Sequence, residues 1–196
     1  MTVGEPGEHG TGVPEVFESI PAVARFDERV ELLLGRLRGN RATDRLMYSL
    51  SALADFSLLW QLAAGVRTLP APKGHKRFLA HAAGIAAESL VVNQGLKRLT
   101  GRGRPVHALV HPFPLRTPSS RDRSGTSWCS AFFAALLLSS GHKREAPAWF
   151  TLAALVSISR PYVGAHHPSD VVAGAALGTA LGAGWIALAR RLGFWP

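Results

Sequence analysis

Cysteine is almost absent from this chain, since Cys129 is the only one among 196 residues. A single cysteine excludes a disulfide within the chain, and the apolar residues around Cys129 favour a small buried side chain over a reactive thiol. Cys and His pairs at zinc-binding spacings are also missing, as are basic strands interleaved with aromatic residues. Although Lys and Arg outnumber Asp and Glu by 22 to 13, these absences argue against a nucleic acid partner.

A cleavable signal peptide is not recognisable at the N-terminus. The first two dozen residues are rich in Gly, Pro and Glu and contain no apolar run after a basic start, so we expect residues 1–20 to form a disordered tail. Residues 21–40 place apolar side chains on one helical stripe and arginines off it. This pattern predicts an amphipathic helix at a membrane surface, although a helix packed on the rest of the domain explains it equally well.

Strand patterns are negligible, and long apolar runs dominate the rest of the chain. Five apolar segments cover about 46–66, 78–96, 128–140, 146–159 and 169–192. Three of them approach the roughly 20 residues that span a bilayer, and the charges collect between the segments, as in membrane proteins. The sequence therefore predicts an all-α membrane bundle over residues 44–192, with about five transmembrane helices after the amphipathic helix.

Small and acidic residues inside these segments give more detail. Gly174, Gly178 and Gly182 recur at every fourth position of the fifth segment, which predicts a face for close helix packing. Asp55 and Glu88 lie within the first and second segments, where acids are costly. We interpret both as facing the bundle interior and hydrogen bonding across helices. A channel or transporter has only these two acids in its favour.

Two short motifs carry the chemistry. Lys97–Pro105 reads K-x6-R-P, and Ser159–Asp170 reads S-R-x5-H-x3-D. Together they provide three cations for the oxygens of a phosphate group, and an arginine can bind two oxygens at once. His166 and Asp170 share a face if a helix begins near Pro168. The carboxylate then holds one imidazole nitrogen and leaves the other for attack on phosphorus, which requires neither a metal nor a cofactor.

At full length and in this order, the two motifs resemble the first and third signatures of the type 2 phosphatidic acid phosphatases, which share a core with vanadium-dependent haloperoxidases. The resemblance covers the whole apolar part of the chain. It implies a bundle of membrane helices with the active site at one membrane face. It also implies that Lys97, Arg104 and Arg160 bind phosphate. His166 is then the nucleophile that forms a phosphohistidine, and Asp170 orients it.

The second signature of this family, Pro-Ser-Gly-His, is altered in this chain. Its flanking residues place it on Ser124, Gly125, Thr126 and Ser127. Without a gap, Ser127 stands where the family has its general-acid histidine, and with a shift of one residue Thr126 does. The histidine is missing in both registers. The backbone and hydroxyl groups of these four residues still offer hydrogen bonds to phosphate, so we predict them as phosphate ligands.

The altered signature leaves three interpretations open. General acid assistance is worth about 10²–10⁴-fold in rate, and an alkoxide leaving group needs it more than a phosphate leaving from a diphosphate. The enzyme then acts on a lipid diphosphate, recruits another acid, or binds a lipid phosphate without efficient turnover. The candidates for another acid lie in nearby loops: His107, His111, Asp122 and His167.

The resemblance implies a membrane phosphatase with a lipid phosphate substrate, either a polyprenyl-linked phosphate, a phosphorylated sugar carrier or a glycerolipid phosphate. The resemblance also permits two kinds of protein partner, a second copy of the chain in a homo-oligomer or another membrane enzyme of the same pathway. A charged N-terminal segment without a signal sequence is expected to stay cytoplasmic, so five spans place both motifs on the cytoplasmic face of the plasma membrane. One span more or fewer moves them to the opposite face. The alternative function is a catalytically impaired member that binds lipid phosphate or scaffolds a partner enzyme.

Overall fold

The computed structural model describes residues 20–54, 57–92 and 127–195, and every regular element within these ranges is helical. The α-helices are α1 (Pro21–Leu37), α2 (Arg41–Ala54), α3 (Leu58–Thr68), α4 (Gly74–Val91), α5 (Ser127–Ser139), α6 (Ala146–Tyr162) and α7 (Pro168–Arg191). A short 3₁₀ turn, Lys143–Glu145, precedes α6. The predicted all-α fold is confirmed. Of the predicted N-terminal tail, only Ile20 lies within the described residues.

The helices run back and forth between two ends of the bundle. We call the end where α6 stops and α7 begins the motif end, since residues 160–170 lie there, and the opposite end the far end. At the motif end, the Tyr162 hydroxyl donates a hydrogen bond to Asp44 in the first turn of α2. At the far end, Arg67 in the last turn of α3 pairs with Glu145 just before α6. Within the described ranges, the helices thus pass between the two ends five times, counting α2 and α3 as one passage.

The bounds of α5 and α7 agree with the predicted segments, and the others differ. Helix α2 begins at Arg41 and α4 at Gly74, five and four residues before the predicted starts. The first predicted segment is divided into α2 and α3, and Ser57 before α3 has a φ of 57°, a left-handed conformation that cannot continue a helix. Residues 55–56, including Asp55, lie outside the described ranges. The fourth segment continues past Ser159 to Tyr162, because Pro161 falls in the last turn, where its missing N–H removes a single hydrogen bond.

The predicted glycine face is confirmed. Gly174, Gly178 and Gly182 are buried on α7, which makes its most extensive contact with α5. A Cβ atom at Gly178 would overlap the carbonyl oxygen of Cys129. The absence of side chains therefore allows the two helices to approach until their backbones touch, and this fixes the position of α5 relative to the motif end.

The interior of the bundle is apolar with a few polar side chains. Trp60, Phe133, Leu137 and Val156 are almost completely buried in one core shared by α3, α5 and α6. Cys129 is fully buried, as predicted. Among the described helices, α7 alone is long and apolar enough to cross a membrane, while residues 129–139 of α5 are apolar but shorter.

Helix α1 packs on α6 and α7 at the motif end. Its buried stripe contains Asp27 and Leu34, so the alternative of a helix packed on the domain is correct for this face. Part of the predicted apolar stripe is instead exposed, since Phe26, Leu33 and Leu37 each have more than 40% of their surface accessible. Contact of this second face with a membrane surface stays a prediction.

Candidate active site

Arg160 lies in the last turn of α6 and is buried, with 3% of its surface exposed. Its Nη1 donates hydrogen bonds to the carbonyl oxygen of Ser51, at 2.9 Å, and to the Ser51 hydroxyl, at 2.8 Å. One side of the guanidinium is therefore attached to α2. This contact fixes the orientation of a group that has five donors in a rigid plane, as a phosphate-binding arginine requires.

The turn between α6 and α7 explains how His166 reaches its place. Gly164 has a φ of 72°, and its N–H donates to the Pro161 carbonyl, while the Ala165 N–H donates to the Arg160 carbonyl. This is the Schellman arrangement that ends many helices, and it favours glycine at the left-handed position. The chain therefore reverses within the five residues between Tyr162 and Pro168, and it brings half-buried His166 to the motif end beside the start of α7.

Helix α7 begins at Pro168, as the spacing of His166 and Asp170 predicts. Asp170 lies in its first turn, and one carboxylate oxygen, Oδ2, accepts a hydrogen bond from the His167 N–H at 3.3 Å. A carboxylate at this place satisfies an unpaired backbone donor, and its negative charge interacts favourably with the positive end of the helix dipole. Asp170 thus has a capping role, which sequence reasoning missed. Its predicted role in orienting His166 stays a prediction.

Helix α1 and the residue that follows it also contact this turn and the start of α7. Asp27 of α1 accepts hydrogen bonds from both the N–H and the hydroxyl of Ser169. Arg38, just after α1, donates to the carbonyl oxygens of Pro161 and Tyr162, each at 3.0 Å. These contacts were not predicted. The signal was present for Asp27, because an acid at helical spacing within an apolar stripe indicates a buried partner.

The rest of the predicted site lies outside the described residues. This applies to Lys97, Arg104, Ser124, Gly125 and Thr126. Ser127 is the first residue of α5, but its side chain is not among those described. Of the four candidates for another acid, His107, His111 and Asp122 are likewise outside, and His167 lies at the residue before α7. Within the described ranges, the structure therefore brings Arg160, His166 and Asp170 to one end of the bundle.

Glu88 is a structural residue of the interior, as interpreted from the sequence. It is 3% exposed on α4, and its Oε2 accepts a hydrogen bond of 2.6 Å from the hydroxyl of Ser130 on α5. Ser130 lies in the first turn of α5, immediately after the altered second signature. The acid therefore attaches the start of α5 to α4.

Comparison with known proteins agrees with this geometry. Residues 78–193 match the model of the PAP2 superfamily. A decaprenylphosphoryl-5-phosphoribose phosphatase of Mycobacterium tuberculosis is 31% identical over 135 residues, covering 68% of this chain and 73% of the relative. A lipid A 1-phosphatase of Rhizobium etli is 38% identical over 100 residues, covering 47% of this chain and 40% of the relative.

The fold also has a counterpart among solved structures. A transmembrane PAP2-type phosphatidylglycerolphosphate phosphatase from Bacillus subtilis superposes with a TM-score of 0.60, at 24% identity, over 87% of this chain and 88% of that one. The region that matches the family model, residues 78–193, contains most of α4, all of α5 to α7 and both predicted motifs. The relatives are phosphatases, which supports the predicted class, a phosphoric ester hydrolase. The chain belongs to the PAP2 superfamily.

Proposed function

We propose that this protein is an integral membrane phosphatase that hydrolyses a lipid-linked phosphate through a phosphohistidine intermediate. The observation that carries the proposal is the turn between α6 and α7, where a buried arginine, a half-buried histidine and a helix-capping aspartate occupy the positions of the third signature. Lys97 and Arg104 complete the phosphate site in this proposal.

The reaction proceeds in two displacements. An imidazole nitrogen of His166 attacks phosphorus, and the bond from phosphorus to the leaving oxygen breaks, with its electron pair going to that oxygen. Arg160, Lys97 and Arg104 stabilise the charge that develops on the three other oxygens. A water molecule then attacks phosphorus and loses a proton to the solvent. The bond from phosphorus to nitrogen breaks with its electron pair returning to the imidazole, and inorganic phosphate leaves. Asp170 stabilises the imidazolium during both steps.

The leaving oxygen needs a proton unless it is already a good leaving group. Ser127 or Thr126 replaces the family's general-acid histidine. The proposed substrates are therefore those whose leaving group needs little protonation, or those whose leaving group receives a proton from another residue. A lipid diphosphate belongs to the first kind, and donation by His167 beside α7 to the second. The mycobacterial relative acts on a phosphorylated polyprenyl sugar carrier, by its name. We propose a polyprenyl-linked phosphate as the first substrate class and glycerolipid phosphates as the second.

A second candidate function is phosphate binding without efficient turnover. The altered second signature favours it, because the cations and the capped helix are retained while the proton donor is not. Such a protein binds a lipid phosphate or scaffolds a partner enzyme of the same membrane. The two candidates share the predicted site and differ only in turnover.

Release of inorganic phosphate separates the two candidates. The purified protein in detergent is assayed with a panel of polyprenyl and glycerolipid mono- and diphosphates, beside His166→Ala. The matched control is His75→Ala, an exposed histidine of α4, and His167→Ala is assayed separately as a test of the proposed proton donor. Release that H166A abolishes supports the phosphatase. Release that is equal in H166A, or absent with every substrate while lipid phosphate still binds, contradicts it, and the second result supports the binder.

The register of the second signature can be tested in the same assay. Histidine is introduced separately at Ser127 and at Thr126. If the missing general acid limits the rate, the correct position raises release from a lipid monophosphate by about 10²-fold or more, and release from a diphosphate by much less. Equal activities in all three proteins would mean that another residue already donates the proton.

A further inference from the structure

The far end of the bundle contains a cavity that the proposed reaction does not use. Its volume is about 210 Å³, and it lies among the last turn of α3, the first turns of α4, the end of α5 and the chain after α7. Helix α7 has 24 residues and is therefore about 36 Å long, which separates this cavity from the motif end. Its walls combine the apolar Leu137, Leu138 and Trp195 with charged and polar side chains.

His81 is the most unusual of these side chains. It lines the cavity and is only 1% exposed, yet neither ring nitrogen has a hydrogen-bond partner within the described part of the chain. Buried imidazole nitrogens are almost always hydrogen bonded. A neutral imidazole offers one donor and one acceptor, so His81 presents unsatisfied hydrogen-bonding capacity to the cavity.

Arg77 lies one helical turn before His81, on the same face of α4, and also lines the cavity. It is half-buried, and the described residues include no carboxylate that forms an ion pair with it. Arg67, by contrast, pairs with Glu145 and lies 6.0 Å from the centre of the Trp149 ring. The cavity therefore contains one guanidinium that is neutralised and one that is not.

The surroundings of the cavity are strongly basic. The cations carried by the helix ends and turns at the far end are Arg67, Lys73, Lys76, Arg77, Lys143, Arg144, Arg190 and Arg191. Glu145 is the only acid among the described residues there. A basic, partly enclosed cavity concentrates anions.

From these observations we propose that the far-end cavity binds a phosphate-class anion, with Arg77 and His81 as its principal ligands. The anion is either inorganic phosphate or the headgroup of an anionic phospholipid. Arg77 supplies the charge and paired donors, His81 donates one further hydrogen bond from the wall, and the Arg67–Glu145 pair limits access at one side. This site is independent of the proposed phosphatase reaction.

Trp195 provides a local readout, because it lines the cavity and its Nε1 donates to the Ser140 hydroxyl at 3.0 Å. The full-length protein is labelled with 5-fluorotryptophan in detergent, and the ¹⁹F resonance of Trp195 is assigned with Trp195→Phe. Inorganic phosphate, dihexanoyl phosphatidylglycerol and dihexanoyl phosphatidylcholine are then titrated separately. An anion bound at the motif end is too distant to shift this resonance directly.

The variants are chosen to act in opposite directions. Arg77→Gln weakens binding about tenfold or more, because a charge-assisted contact is lost, and Lys76→Gln is its control. Lys76 is the neighbouring residue with the same charge, but it is exposed and does not line the cavity. Glu145→Gln tightens binding several-fold, since it releases Arg67 and removes a like charge. His81→Leu removes the second ligand and weakens binding several-fold, because one neutral hydrogen bond is lost.

Saturable shifts with phosphate or phosphatidylglycerol, but not with phosphatidylcholine, support the proposal. The tighter of the two binders identifies the source of the anion as free phosphate or lipid headgroup. The proposal is overturned if neither produces a saturable shift of the Trp195 resonance, or if R77Q and K76Q bind equally well. Because H166A should leave these shifts unchanged, failure here and failure of the proposed reaction are distinguishable.

Discussion

Asp27 accepts two hydrogen bonds from Ser169, one from its backbone N–H at 2.7 Å and one from its hydroxyl at 2.8 Å. The acid belongs to α1 and the serine to the first turn of α7, three residues after the predicted nucleophile. A carboxylate from elsewhere in the chain thus caps the helix at which the third signature ends. It satisfies a donor that would otherwise be buried without a partner.

This contact predicts a selective effect of Asp27→Ala. Removing a charged acceptor from a buried donor should lower the free energy of unfolding by about 2 kcal/mol, whereas Ser169→Ala, which keeps the backbone donor, should cost about half as much. Thermal unfolding in detergent measures both. Glu28→Ala removes a neighbouring exposed acid from the same helix and should be neutral. Equal stability of D27A and E28A would contradict the capping role.

Arg38 should not tolerate replacement by lysine. Its Nε and Nη2 donate to the Tyr162 and Pro161 carbonyls at the end of α6, a forked geometry that a lysine cannot reproduce. We expect R38K to be less stable than wild type by about 1–2 kcal/mol and to show faster hydrogen exchange at residues 163–165. Arg36→Lys, at an exposed position, is the control. Unchanged exchange in R38K would show that the turn is held by other contacts.

Gly178 and Gly184 give a matched test of the glycine face. A Cβ at Gly178 overlaps the carbonyl oxygen of Cys129, while a Cβ at Gly184 meets nothing within 4 Å. We expect G178A to be destabilised by about 1–3 kcal/mol through overpacking. In contrast, G184A should be neutral or gain up to about 1 kcal/mol from helix propensity. Denaturation in mixed micelles measures the difference, and similar values for the two variants would argue against backbone contact between α5 and α7.

The proposed orientation can be tested because Cys129 is fully buried and leaves the background unreactive. Single cysteines are introduced for Glu28 near the motif end and Arg144 at the far end, both exposed. If the motif end faces the cytoplasm, an impermeant maleimide labels R144C in intact cells and E28C only after permeabilisation. The reverse pattern would place the proposed active site on the outer face.

The ion pair between Arg67 and Glu145 predicts a pH-dependent contribution to stability. The hydrogen bond from Arg67 lowers the pKa of the Glu145 carboxyl below its ordinary value. A carboxyl group whose pKa is lower in the folded protein contributes its full stabilisation at pH values above its pKa in the unfolded chain, about 4.3. This stabilisation is lost as the pH falls through the folded value. The melting temperatures of wild type and E145Q should therefore differ at pH 6 and converge toward pH 3. A constant difference over this range would exclude the pair as its source.

The sequence predicts the helices well because their signals are local. The apolar periodicity of residues 169–192 and the proline at 168 define α7 to within a residue. The division between α2 and α3 is not predicted, because an apolar run continues through Ser57 and hides its left-handed conformation. Glu88 is correctly interpreted, since an acid inside an apolar helix must find a partner on another helix.

The sequence predicts which residues form the candidate site, but it does not predict the contacts of α1 that hold them in place. Arg160 and His166 stand out because their spacing follows a pattern along the chain, and the start of α7 at Pro168 agrees with it. The contacts of Asp27 and Arg38 depend on where α1 crosses the bundle, which no local pattern specifies. They join residues 142 and 124 positions apart, and such pairs are determined by tertiary packing alone.

That separation has a consequence for biogenesis. Helix α1 is synthesised well before α7, so the cap between Asp27 and Ser169 forms only after the ribosome has completed α7. Until then the turn with His166 has neither its N-terminal support nor the helix that follows it. A chain released early, or with α7 left uninserted, would therefore enter the membrane without a formed third signature.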